Sequence, residues 1–252
     1  MSGHSKWSTI KRQKGVTDAR RGAAFTKAAN AITMAAREGG GDPETNFKLR
    51  LVIEGAKRVN MPKENIDRAI NRAIGGGKDG KLLEKIVYEG FGPAGVGVLV
   101  EAVTENRQRT AQEVRSTFER NGGQLSGPGS VTHFFSPIGE IVIHFADNLD
   151  ADHLLLVAAD SGADDVETDK NEAIVYCDIQ TLEKVKEDLI KNGLEVTETR
   201  ISRRPNSVVK ITNEKDALKV LSLVNKLDDL QDVQRVYANF DIPEEILQKE
   251  EI

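Results

Sequence analysis

The sequence predicts an α+β protein: an N-terminal three-helix bundle followed by two ferredoxin-like βαββαβ units, one inserted into the other. Three observations carry this expectation. Apolar residues recur at three- and four-residue steps as far as Ala73, then change to the alternation of strands from Lys85. Residues 138–204 run strand, helix, strand, strand, helix, strand without a break, which is the split-βαβ order. Residues 96–135 and 208–240 each read β-α-β with no neighbour to pair with, so they complete one another across that block.

The first helix is expected over Ala19–Glu38, where Phe25, Ala28, Ala29, Ile32, Ala35 and Ala36 share a face and Gly39-Gly40-Gly41 ends the run. Asp42-Pro43 then offers a cap and a proline at the first helical position, ahead of Leu49, Val52, Ile53, Ala56 and Val59. Pro62 opens a third helix with Ile66, Ala69, Ile70 and Ala73 inward. Spacing does not decide between a helix-turn-helix reader and a plain structural bundle. Ile86–Phe91 and Val96–Val103 are strands. Asn106 caps a helix closed by Asn121-Gly122, and Val131–Phe135 is a further strand ended by Pro137. Within the inserted block, Ile141–Phe145, Val166–Thr168, Ala173–Cys177 and Leu194–Ile201 are strands, with helices capped by Asp150 and marked by Leu182, Val185 and Leu189. Val208–Ile211, a helix capped by Asn213, and Val233–Phe240 close the chain. The expected division is a basic helical domain at 1–80, a discontinuous α/β domain at 81–136 plus 205–242, an inserted domain at 137–204 and an acidic tail at 243–252.

Charge points to function. The net charge of −5 conceals a split: residues 1–78 hold 16 Lys and Arg against 7 Asp and Glu, and the remainder holds 19 against 33. The basic part is concentrated at the start. Lys6, Lys11, Arg12, Lys14, Arg20, Arg21 and Lys27 stand against one acid, Asp18, with His4 and the aromatic Trp7 among them. Such a run is the footprint of a polyanion-binding arm, or else a solvated chain end. With Arg68 and Arg72 on the third helix, these residues are the candidate nucleic-acid contacts: phosphate for the cations and stacking for Trp7. A second set, Arg107, Arg109, Arg115 and Arg120 with Arg200, Arg203 and Arg204, is either ordinary surface charge or an extension of that track. Lys184, Lys186 and Lys191 lie far along the acidic part, and reversing them is expected to do little to binding.

Other classes find no support in the residues. The longest apolar run, Leu154–Ala159, is far too short to cross a bilayer, and the basic start lacks the apolar stretch of a secretory signal. With Cys177 as the single cysteine the chain fits a reducing compartment and reads as cytoplasmic. Gly90-Phe91-Gly92-Pro93-Ala94-Gly95 spells a dinucleotide fingerprint, but a strand rather than a helix follows it, so it reads as a turn. His4, His133, His144 and His153 show no metal-ligand spacing; His133 and His144 fall on strands and are expected to be partly buried. Asp164-Asp165 and Asp228-Asp229 read as turn residues, and Cys177 as a core residue. No nucleophile–base pair stands out, so no catalytic residue, metal or small-molecule cofactor is expected.

Several motifs together resemble the YebC/PmpR family: Gly3-His4-Ser5-Lys6-Trp7, Asp18-Ala19-Arg20-Arg21-Gly22, Gly39-Gly40-Gly41-Asp42-Pro43 and Asn60-Met61-Pro62-Lys63-Glu64-Asn65-Ile66. Tyr88-Glu89-Gly90-Phe91-Gly92-Pro93, Thr104-Glu105-Asn106-Arg107-Gln108-Arg109-Thr110 and Asn121-Gly122-Gly123 extend the likeness. The resemblance implies the three-domain architecture and a role in gene expression. Bacterial members are described as DNA-binding transcriptional regulators and mitochondrial members as translational activators. A ribosome-associated role at consecutive prolines has also been attached to the family. The partners so implied are DNA or rRNA, with the ribosome as a further one.

Overall fold

The computed structural model describes Trp7, Thr9 and residues 18–75, 83–145, 151–169 and 171–249. Trp7 and Thr9 are helical, and among the described residues three helices follow: α1 (Asp18–Gly39), α2 (Phe47–Arg58) and α3 (Lys63–Ile74). Their common core, with Ile32, Ala35, Ala36, Leu49, Ala56, Ile66 and Ala69, is rich in alanine and lets the axes approach closely. Gly40 leaves α1 in the left-handed region at φ +89°, as the glycine run predicts.

The start of α2 differs from the Asp42-Pro43 expectation. Asn46 is the cap, its Oδ1 accepting the Leu49 N–H at 3.1 Å, while Asp42 accepts the Glu44 N–H at 3.0 Å in a turn. Asn46 prevails because it serves two helix ends. Its Nδ2 also donates to the carbonyls of Ala35 and Gly40 at 2.8 and 2.7 Å, satisfying acceptors left over where α1 ends.

The first sheet has the order β3-β1-β2-β9, from β1 (Glu84–Phe91), β2 (Gly97–Thr104), β3 (Gln124–Ser126) and β9 (Val233–Ala238). Helices α4 (Arg107–Arg120) and α7 (Glu214–Asp228) cover one face, burying Val98, Val100, Val114, Phe118, Leu221, Val224 and Val236 between them. The sheet is of the ferredoxin-like kind, but its strands are drawn from the chain in an unexpected order. The strand expected at Val131–Phe135 is mostly a 3-10 turn, Thr132–Phe134. The stretch Val208–Ile211 contributes only β8 (Val209–Lys210), paired with β10 (Phe240–Asp241) outside the main sheet. β1 takes the vacant central place instead. The reason lies in Glu89: its carboxylate accepts the N–H groups of Gly129, Val131 and Thr132, which are therefore lost to any ladder. The apolar alternation in that stretch was real. Val131 and Phe135 pack with Leu99 and Tyr237 on the sheet's other face.

The second sheet, order β5-β6-β4-β7, follows the predicted topology: β4 (Phe135–His144), α5 (Ala151–Asp160), β5 (Asp165–Asp169), β6 (Glu172–Cys177), α6 (Leu182–Lys191) and β7 (Glu195–Pro205). Pro137 does not end a strand. It sits inside β4 opposite Arg203, ahead of the point where β6 joins at Gly139, so β4 there has a neighbour on one side only. His133 and His144 are exposed rather than partly buried.

The helices bridge the two sheets. From α2, Leu51 and Phe47 enter the second core beside Leu182 and Val185, and Glu54 meets Lys186 at 3.0 Å. From α1, Lys27 donates to the Asp228 carbonyl and Arg37 to the Leu83 carbonyl at 3.0 Å. The sheets are joined directly by Arg203–Glu101 at 3.0 Å and by Arg235 donating to the Ile201 carbonyl.

Candidate nucleic-acid interface

Of the predicted contact residues, His4, Lys6, Lys11, Arg12 and Lys14 lie outside the described residues, as do the side chains of Arg20 and Arg21 at the start of α1. The others part company. Trp7 was expected to be free for base stacking, but it is 8% exposed and packed edge-on to Phe240, ring centroids 6.1 Å apart, in the core of the first sheet. A large indole gains more from burial against Phe240 and Leu247 than from a wet surface, so it is an anchor. Lys27 is tied to the Asp228 carbonyl, and Arg72 to Glu105. Arg68 remains exposed on α3, with Glu64 one turn before it at 3.6 Å.

Sequence reasoning passed over Lys57, which with Lys63 of the third helix flanks the α2–α3 turn; both are exposed. Their signal was available: each falls off the apolar face that places Ala56 and Ile66 inward. The second basic set divides. Arg109 binds Asp232 at 2.6 Å, Arg200 pairs with Glu140 and Glu198, Arg203 with Glu101, and Arg204 with Asp165 and Glu167. These arginines build the fold, whereas Arg107, Arg115 and Arg120 are exposed. Lys186, on α6, pairs with Glu54 and so belongs to the joint between helices and second sheet.

Charge separates more sharply than a basic head on an acidic body. Residues 1–80 hold 16 Lys and Arg and 8 Asp and Glu, while 81–136 with 205–242 hold 11 and 12. Residues 137–204 hold 7 and 16, and the last ten residues 1 and 4. The acid is therefore in the inserted unit and the tail, and the first-sheet unit beside the basic helices is close to neutral.

The perturbed titratable groups serve structure. Burial pushes the Glu89 carboxyl up, but the N–H donors of Gly129, Val131 and Thr132 outweigh it and leave Glu89 below the usual range. Asp232 is likewise held low, burial being outweighed by Thr110, Arg109 and Thr104. Burial pushes the Cys177 thiol up to about 11, which suits an inert core residue. Among the described residues no group of three or more His, Cys, Asp or Glu is placed to hold a metal, and no helix is long and apolar enough to cross a membrane. The Gly90–Gly95 run is the β1–β2 turn, with Ala94 and Gly95 at positive φ and β2 following.

Comparison with known proteins decides the family. Residues 5–76 match the model for the TACO1/YebC protein N-terminal domain, and residues 83–240 that for the TACO1/YebC second and third domain. The chain belongs to the YebC family. Relatives of this YebC-family chain include a "probable transcriptional regulatory protein" of Chloroflexus aurantiacus, 50% identical over 249 residues and 98% of either chain. One of the same description from Caldanaerobacter subterraneus is 45% identical, covering 97% of this chain and 100% of that one. Among solved structures, a conserved hypothetical protein of Aquifex aeolicus superposes with a TM-score of 0.84 at 44% identity, covering 92% of this chain and 94% of that one.

Proposed function

We propose that this YebC-family chain is a non-enzymatic regulator of gene expression that grips nucleic acid through its basic N-terminal region, in the first instance as a DNA-binding regulator of transcription. One observation carries the reading: the excess positive charge is confined to residues 1–80, while the inserted unit and tail hold the acid. Arg68, Lys57 and Lys63 add exposed charge on the same helical region. The names of the relatives favour DNA.

The test is a binding titration against duplex DNA and structured RNA over a range of salt. Exchanging Lys11, Arg12 and Lys14 together for Glu is expected to abolish binding, and the wild-type log K to fall linearly with log salt in proportion to the phosphates contacted. Genomic footprinting should find a site preferred at least ~10³-fold over bulk DNA. Intact binding by the triple variant sinks the reading. A second reading, as a translation factor on rRNA, is favoured by the acidic inserted unit, which repels a long duplex laid along it. Co-sedimentation with ribosomes in low salt, combined with uniform weak binding to DNA, would select it.

A further inference from the structure

The two units present different helical faces to their surroundings. In the first-sheet unit, α4 and α7 expose one large apolar side chain between them, Leu218 at 38%. In the inserted unit, Leu155 and Leu156 on α5 are 44% and 65% exposed, and Ile190 on α6 is 50% exposed. The two helices pack against one another over the same sheet. Neither leucine is needed for the core, which Leu154, Val157 and Ala158 already fill from α5. At the surface of so acidic a unit Lys or Glu could stand at these positions without loss to the core, and the apolar choice therefore points outward to a partner.

Charge says what kind. Asp152 and Asp160 on α5 and Glu187 on α6 are exposed around these side chains. The cations on α6 are Lys186, paired with Glu54 at 3.0 Å, Lys191, engaged with Asp188 at 3.1 Å and Glu187 at 3.9 Å, and Lys184, which stands exposed. The unit as a whole carries 16 acids against 7 bases. Phosphate polymers are repelled here, and the chain's own acidic tail is repelled as well.

We infer that the α5–α6 face of the inserted unit is a docking surface for a basic, amphipathic segment of a protein partner, with Leu155, Leu156 and Ile190 as the apolar seat and the surrounding carboxylates as the rim. The inference does not rest on the nucleic-acid reading. A partner so held would add its own positive charge to the complex.

The experiment titrates the full-length chain with a synthetic amphipathic helix of Lys and Leu. Leu155→Asp with Leu156→Asp separates docking from mere attraction, because it adds negative charge while removing the seat. Docking predicts ~10-fold or greater weakening; equal or tighter binding overturns the inference. Asp152→Asn with Asp160→Asn should weaken binding a few-fold and lose most of its effect at high salt. Both leucines are exposed, and an unchanged melting temperature of the double Asp variant shows that folding is not the cause. Two other outcomes overturn it: self-association of the wild type abolished by the same variant while the peptide fails to bind, or loss of DNA or RNA binding by that variant.

Discussion

The second sheet takes all four strands from one unbroken stretch, 135–205, whereas the first draws β1, β2 and β3 from 84–126 and β9 from 233–238. The contiguous unit needs no special device to bring its strands together, since short connections do so. In the divided unit the two segments are pinned to each other by buried polar groups. Asp232, just before β9, accepts from Thr104, Thr110 and Arg109 of the earlier segment at 3.0, 2.6 and 2.6 Å. Asn239 accepts the Gly97 N–H at 2.7 Å and donates to the Ser207 carbonyl at 3.2 Å. Glu89 fixes the loop that leads into the insertion. The two segments are thus joined across the break by the side chains of Asp232 and Asn239.

The most severe way to break this contrast is at Asp232. Asp232→Ala leaves two buried threonine hydroxyls and Arg109 without their shared acceptor, at a cost of roughly 3 kcal/mol. Trp7 is the only tryptophan and lies in the first-sheet core, so urea unfolding followed by its fluorescence reads this unit directly. A shift in the midpoint worth under about 1 kcal/mol would show that the pin is idle.

Glu89→Gln comes next, at roughly 2 kcal/mol, because an amide must turn its NH2 toward N–H donors that a carboxylate accepts from on both oxygens. The same pair sets a pH dependence. Both carboxyls are held below their unfolded values, so their stabilisation is complete above the unfolded carboxylate range near pH ~4 and is lost as pH falls through the folded values. Acid unfolding of the first-sheet unit should therefore become shallower in a Glu89→Gln, Asp232→Asn double variant, measured as the slope of Trp7-detected stability against pH. An unchanged slope would assign acid sensitivity elsewhere.

The contrast also explains what could be read in the sequence. The order of the second unit was legible because its period, its turns and its contacts are all local. The first unit carried the same apolar alternation, but Val131 and Phe135 spend it on packing against Leu99 and Tyr237 rather than on a ladder, and no local rule separates those uses. The Asn46 cap was hidden by the stronger Asp42-Pro43 signal, since its decisive bonds reach back to Ala35 and Gly40. At the candidate interface, charge was legible and commitment was not. Lys27, Arg72 and Trp7 have the composition of a binding arm, yet their partners Asp228, Glu105 and Phe240 are distant in sequence.

The mildest test concerns how the helices hold the contiguous unit. Lys186 and Lys184 are two residues apart on α6 and alike in chemistry, but Lys186 is half-buried against Glu54 of α2 and Lys184 is exposed. Lys186→Glu sets two carboxylates together at this joint and should cost about 1 kcal/mol, more than an exposed pair would give because water screens it less. The loss should appear as faster amide exchange in α2 and α6, with β1 and β2 unaffected. Lys184→Glu should leave exchange in both helices as it was. If the two substitutions behave alike, Leu51 and Phe47 hold α2 against the second core without help from the ion pair, and the joint is apolar in origin.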